Sequence, residues 1–459
     1  MIIRNLSEYL NGCTNYTELR TQRNLDQRIV MLNGNMVQNS KEEKSGVSAR
    51  VRCNGSWGFA SATDMDEETI KAVIESANNN ANLLGSKISK NSEGFSVFED
   101  SVEKDLSTKK RRSTQSEVMG FLKEVDEYID KKYTDLSSRT VVLSTLDMEK
   151  NLITSQGASA YTFTPRSFVY IAMKIEKNGE VTEVGGLVGD AGQFEDNFES
   201  TEKIFEKIDE TYEHLKKKCD GVFAEAGLKE CILDADLAGI LAHEAIGHTT
   251  EADIVLGGSV AGDYLNEKVA SELITLVDFA NTALGKQCPI PIYIDDEGVT
   301  AKDVTIIEDG VLKSFMHNRD SANYFDVEAT GNGRAYQFND EPLIRMRNTA
   351  ILPGKSKLED MIASIEDGYY LIKPSNGQAD STSEFMFGVT LGYEIKNGKL
   401  GRAIKDTTIS GVAFDVLKTV TMVSDDMSWS AAGMCGKKQP IPVGMGGPAI
   451  KCKINIGGR

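Results

Sequence analysis

F-V-Y-I-A-M-K-I-E-K-N-G-E-V-T-E-V, residues 168 to 184, sets two strand-prone runs on either side of Asn178-Gly179. Asn-Gly tolerates the positive φ angles of a two-residue hairpin turn, so the stretch reads as an antiparallel pair. Two runs just upstream, T-V-V-L-S-T-L (140 to 146) and A-S-A-Y-T-F-T (158 to 164), read as strands of the same set. Residues 16 to 62 repeat the theme in R-I-V-M-L-N-G-N-M-V, G-V-S-A-R-V-R-C and S-W-G-F-A-S-A-T, turned at Asn33-Gly34 and Asn54-Gly55. Strands that follow one another through tight turns pair antiparallel, and nothing in this half alternates strand and helix as a parallel sheet requires.

Helices accompany both sets. From about Asp66 to Leu84, Ile70, Val73, Ile74 and Ala77 recur at helical spacing. Thr114 and Glu117 form a capping box that opens a helix bearing Val118, Phe121, Leu122, Val125 and Ile129. A charged helix from about Glu199 to Lys218 turns Ile204, Phe205, Ile208, Tyr212 and Leu215 inward. Residues 86 to 112, rich in Ser, Lys and Glu, read as a linker with short helical or extended pieces. Residues 1–220 thus form an N-terminal region of two sub-units, 16–85 and 113–219, and residues 226–459 form a second domain. That second domain opens with one helix, is expected to carry another around Asn266 to Leu284, and then runs through strands punctuated by D-D-E-G (295 to 298), E-D-G (308 to 310), T-G-N-G (330 to 333) and K-N-G-K (396 to 399). Hairpin after hairpin predicts a strongly curved, barrel-like antiparallel sheet. The fold class is α+β.

Composition narrows the function. The 459 residues carry 51 basic and 69 acidic side chains, a net charge of −18, which repels nucleic acid and anionic membrane. No run of about 18 apolar residues occurs and the N-terminus lacks a signal-peptide pattern, so a cytoplasmic protein is expected. Seven cysteines without a C-x-x-C pair suggest neither a disulfide framework nor a zinc knuckle.

Two of only four histidines lie in L-A-H-E-A-I-G-H-T-T-E-A-D, residues 241 to 253. The stretch departs from the zinc-protease pattern H-E-x-x-H by one inserted residue. In a regular α-helix five residues turn through about 500° and rise about 7.5 Å, leaving His243 and His248 roughly 140° apart. They share a metal only if a π-bulge absorbs the extra residue, or if the helix ends at a left-handed Gly247 and His248 swings back. Glu244 stands where a base for a water held at the metal is expected.

A third ligand must come from elsewhere. Cys452, in A-I-K-C-K-I-N-I, and Cys231, in E-C-I-L, read as core residues. Cys435, in A-A-G-M-C-G-K-K, lies between Gly433 and Gly436 with Lys437 beside it, a setting that favours a thiolate ligand. His317 is the runner-up, and His214, near a helix C-terminus, reads as a solvated cation.

These two motifs, with D-G-V-L-K-S-F-M-H-N-R (309 to 319), A-T-G-N-G-R (329 to 334), R-M-R-N (345 to 348), S-E-F-M-F-G-V (383 to 389) and P-V-G-M-G-G-P (442 to 448), resemble the TldD/PmbA family of metallopeptidases, in particular its metal-bearing TldD type. The resemblance implies that His243, His248 and Cys435 hold one zinc ion and that Glu244 is the general base. It also implies a zinc-dependent peptidase acting on unfolded peptides or small protein fragments, as a homodimer or paired with a metal-less paralogue. The same residues would serve an amidohydrolase acting on small non-peptide amides, and a non-catalytic regulatory or binding subunit is the third reading. Arg345 and Arg347 are candidates for holding a peptide carboxylate or carbonyls. Glu251 and Asp253 are candidates for orienting a ligand imidazole. The strand-like S-E-F-M-F-G-V-T-L-G-Y is a candidate edge for an extended peptide.

Overall fold

The computed structural model describes residues 2–87 and 96–457. Seven strands of the N-terminal half share one sheet: β1 (Tyr16–Leu32), β2 (Asn35–Cys53), β3 (Ser56–Ala62), β4 (Ser101–Asp105), β5 (Ser138–Thr154), β6 (Ser159–Lys177) and β7 (Glu180–Ala191). Asn33-Gly34, Asn54-Gly55 and Asn178-Gly179 all have positive φ at both residues, the geometry their hairpins demand. The two groups of strands expected in this half join edge to edge in one sheet, because β1 pairs antiparallel with β5 from Glu18–Thr154 to Leu32–Thr140. Part of the expected linker also enters it: β4 pairs in parallel with β6, while residues 88–95 lie outside the described residues.

The two-residue period of the strands decides what each face meets. On one face lie three helices, α1 (Glu67–Gly85), α2 (Gln115–Lys132) and, after the short α3 (Phe194–Asn197), α4 (Glu202–Cys219). Asp66 caps α1 through Thr69 N, and the Thr114–Glu117 capping box forms as expected. Leu19, Val47, Ala49 and Val51 pack with Ile70, Val73 and Ala77, while Val141, Leu143, Val169 and Ile171 pack with Leu122, Ile129, Ile204 and Ile208. The other face of β1 is polar: Arg20, Gln22 and Asn24 donate to backbone carbonyls of residues 336 to 340 in the second half.

The second half begins with β8 (Gly227–Leu233). Pairing runs from β8 to Asp367–Ala379, to Glu384–Lys396, to Thr407–Val412, to Ile450–Ile456 and back to β8, a closed five-stranded barrel. A six-stranded sheet stands beside it, in the order Val311–Leu312, Val304–Glu308, Leu276–Phe279, Asn348–Ile351, Ile441–Gly447 and Ser428–Cys435. Between barrel and sheet lies α5 (Ala235–Ile240), whose Leu237 shares a core with Leu371, Phe385, Phe387 and Ile351. Gly239 lets it approach the sheet, since a Cβ there would sit 3.0 Å from Gly446 N.

Several expectations need correction. No helix spans Asn266 to Leu284: Asn266 is left-handed, and Leu276–Phe279 is a strand paired on both edges, where sheet pairing prevails over local helix preference. The S-E-F-M-F-G-V segment offers no open edge from Glu384 to Val389, since barrel closure pairs it on both sides. His214 is not a solvated cation: its Nδ1 lies 2.6 Å from the Tyr393 hydroxyl, and burial lowers its pKa. Cys231 and Cys452 face each other across β8 and Ile450–Ile456 in the barrel core. Among the described residues no helix is long and apolar enough to cross a membrane.

Candidate metal centre

The extra residue of H-E-A-I-G-H is absorbed by a π-helix. After α5 the chain runs as a π-helix over Leu241–Gly247, and His248 N–H donates to His243 O, a five-residue hydrogen bond that joins the two histidines directly. Gly247 is right-handed, with φ −56°, so the alternative of a left-handed helix end is not taken. Its role is space: a Cβ at Gly247 would fall 2.0 Å from Met346 Sδ, and Met346 is fully buried. Gly→Ala in an open helix stabilises by about 1 kcal/mol. Here the clash reverses the sign, and Gly247→Ala is expected to destabilise by about 1–3 kcal/mol. Thermal unfolding checks this, and trimming Met346 to Ala in the Gly247→Ala background should recover part of the loss if the contact is the cause.

His243, His248 and Cys435 offer ligand atoms that all lie within 4.8 Å of one another. Cys435 ends the strand Ser428–Cys435, and its Sγ lies 3.1 Å from His248 Nε2. The two imidazoles meet edge to face with centroids 5.2 Å apart. Burial pushes the Cys435 thiol up, but the His243 and His248 imidazoles beside it outweigh this and bring it to about 3, which leaves a thiolate. Burial lowers His248 while the Glu251 carboxylate and Cys435 raise it, to about 10.

A zinc ion fits this donor set. Both ring nitrogens of His243 are buried without a hydrogen-bond partner, a cost that a metal at one of them offsets. Two imidazoles and one thiolate are a zinc-type ligand set that leaves a fourth position free. Glu244 projects beside it, with Oε2 3.7 Å from His248 Nε2 and 27% of its side chain exposed.

Glu251 is fully buried and accepts from His248 at Nδ1, 2.8 Å, which directs Nε2 toward Cys435. Lys437 Nζ bridges Glu251 (3.2 Å) and Asp253 (2.7 Å). Asp253 therefore acts on the site through Lys437 and not on an imidazole itself. The Lys437 bridge was legible only as a charge near Cys435, because its acidic partners lie 184 and more residues away in sequence.

Arg345 and Arg347 are not placed to meet a peptide. Both side chains are fully buried. Arg345 donates to the carbonyls of Cys435 (2.7 Å), Lys437 (3.0 Å) and Gln439 (2.7 Å), clamping the turn that follows the cysteine. Arg347 pairs with Asp278 at 2.8 Å and donates to the carbonyls of Thr330 and Lys302. Inward carbonyls hold Arg345, and Asp278 together with further carbonyls holds Arg347, in the core. His317 is not a third ligand: it is buried near Ser321, Phe315 and Phe325, and burial lowers it to about 4.

A family model described as the PmbA/TldA metallopeptidase C-terminal domain matches residues 227–458, and one described as domain 1 of that metallopeptidase matches residues 17–81. A metalloprotease of Methanocaldococcus jannaschii is 31% identical over 463 residues, 95% of each chain. A zinc metalloprotease TldD homolog of Saccharolobus solfataricus is 31% identical over 421 residues, 90% of each chain. The crystal structure of TldE from Thermococcus kodakarensis shares the fold, with a TM-score of 0.76 at 19% identity over 99% of both chains. Matched over residues 17–81 and 227–458 by the family models, and along nearly its whole length by a metalloprotease, the chain belongs to the PmbA/TldD family of metallopeptidases.

Proposed function

We propose that this chain is a zinc-dependent peptidase of the cytoplasm that hydrolyses unfolded peptides or small protein fragments, with Glu244 as general base. The observation that carries the reading is the convergence of His243, His248 and Cys435 beside Glu244, with both His243 nitrogens otherwise unpartnered. A zinc ion bound there supplies Lewis acidity toward a scissile carbonyl and lowers the pKa of water. Glu244 accepts a proton from the attacking water and returns it to the leaving amine. Glu251 sets the tautomer of His248, Lys437 balances the charge of Glu251, and Arg345 holds the backbone at Cys435. The reading extends to assembly as a dimer, with a second copy or with a relative that lacks the metal ligands.

Metal analysis of the purified full chain, joined to an assay on an unfolded polypeptide such as reduced casein, tests it. About one zinc per chain is expected under the three-ligand reading. A chelator should abolish hydrolysis, and zinc but not magnesium should restore it, because the nitrogen and sulfur ligands suit the softer ion. Full hydrolysis by metal-free protein would overturn the reading, and turnover of small amides with peptides untouched would move it to the amidohydrolase.

A further inference from the structure

The period of β5 and β6 puts Leu146, Met148 and Lys150 opposite Arg166, Thr164 and Thr162 on the face turned away from the helices. That face and the second half enclose a cavity of about 340 Å³, with Pro289, Ile290, Ile292 and Ile441 among its opposite walls. The volume is that of a small-ligand site, and most of its lining is apolar.

The cavity's charged groups are spoken for, with one exception. Lys150 Nζ donates to both oxygens of Asp296 (3.1 and 2.8 Å) and to Ala335 O. Arg334 donates to the carbonyls of Met346 and Pro442. Asp295 accepts from the backbone N–H groups of Glu297, Val299 and Gly333, and burial together with Glu297 holds its carboxyl well above the usual range. Asp196, exposed at the edge, accepts from Thr108 and Gln193 N.

Arg166 differs. It is 8% exposed, its Nη2 donates to Ala431 O at 2.7 Å, and its Nη1 is buried without a hydrogen-bond partner. Its guanidinium lies over the Phe168 ring at 4.8 Å and, like that of Arg334, is in no ion pair among the described residues; the unpartnered Nη1 is what sets it apart. Burial lowers it to about 10, against opposition from Tyr336 and Asp190. A buried cation left with a free donor is costly, and an anion in the cavity offsets that cost.

We propose that this cavity binds a small organic carboxylate with an apolar body, its carboxylate held by Arg166 and its body by the walls of Met148, Ile290, Ile292 and Ile441. One free donor and apolar walls suit a monoanion rather than a phosphate, which needs more donors. The carboxylate could be the C-terminus of a short peptide or a free acid, and the chemistry of recognition is the same. The inference stands whether or not the chain is a peptidase.

Calorimetric titration of the zinc-loaded full chain with 4-phenylbutyrate, its amide, and N-acetyl-phenylalanyl-leucine tests the assignment. Saturable binding of at least one acid is expected, with the amide weaker by roughly 10- to 100-fold, the loss of a charge-assisted hydrogen bond. Binding of phenylbutyrate alone identifies a free acid, and binding of the dipeptide alone identifies a peptide C-terminus. Arg166→Gln should weaken the acids to the level of the amide. Met148→Trp, which fills the cavity and leaves Arg166 in place, should abolish binding. Equal affinity of acid and amide, binding unmoved by Arg166→Gln as for a carboxylate held at the metal, or no saturable binding of either acid would overturn it.

Discussion

Glu244→Gln is expected to lower hydrolysis of an unfolded peptide by about 10²- to 10⁴-fold, the range lost with a general base. The substitution keeps the size and shape of the side chain and removes its ability to take a proton. Glu244 is half-buried and is not among the grouped ligands, so zinc content and melting temperature should stay as in the wild type. Cys435→Ala is the contrast: it deletes the ligand that His248 faces at 3.1 Å, and zinc content and activity should fall together. A Glu244→Gln protein with full activity would remove the proposed mechanism, and one that had lost its zinc would place Glu244 among the ligands.

The second large effect concerns the fold. Asp278→Ala is expected to destabilise by about 3–5 kcal/mol, because the buried Arg347 guanidinium would lose its one acidic partner among the described residues. Asp278 and Arg347 are both fully buried, and the carboxylate also accepts from Arg347 N, Asn348 N, Thr349 Oγ1 and Asn332 Nδ2. It thereby ties the strand Leu276–Phe279 to Asn348–Ile351 and to the turn at Asn332. A fall in Tm of roughly 6–20 °C follows for a domain of this size. Asp278→Asn keeps an acceptor and should lie between; a Tm equal to wild type for Asp278→Ala would show that the pair carries no net stabilisation.

Local chemistry explains what was legible in advance. The Asn-Gly turns and the Thr114–Glu117 box act over two to four residues, and each formed where its residues stand. The same holds for the α+β class, since tight turns between strand-prone runs leave antiparallel pairing as the outcome. Where no cap or turn marked the segment, as at the helix expected around Asn266 to Leu284, a strand with partners on both edges took the place of the helix.

The site divides along the same line. His243, Glu244, His248 and Cys435 stood out by residue type and spacing, and the inserted residue posed a choice between a π-turn and a helix end. Tertiary packing made that choice, because Met346 fills the space against Gly247 and the barrel and sheet enclose the helix on both sides. Arg345 and Arg347 read as candidates for holding a peptide carboxylate or carbonyls, yet carbonyls 90 and more residues away and the distant Asp278 hold them in the core. Sequence by itself determined the hairpins, the Thr114–Glu117 capping box and the identity of the candidate ligand side chains, whose chemistry is local. Only the tertiary structure decided which strands close the barrel, which charges are buried and how His248 meets Cys435 across 187 residues, because those energies exist only once distant segments have excluded water between them.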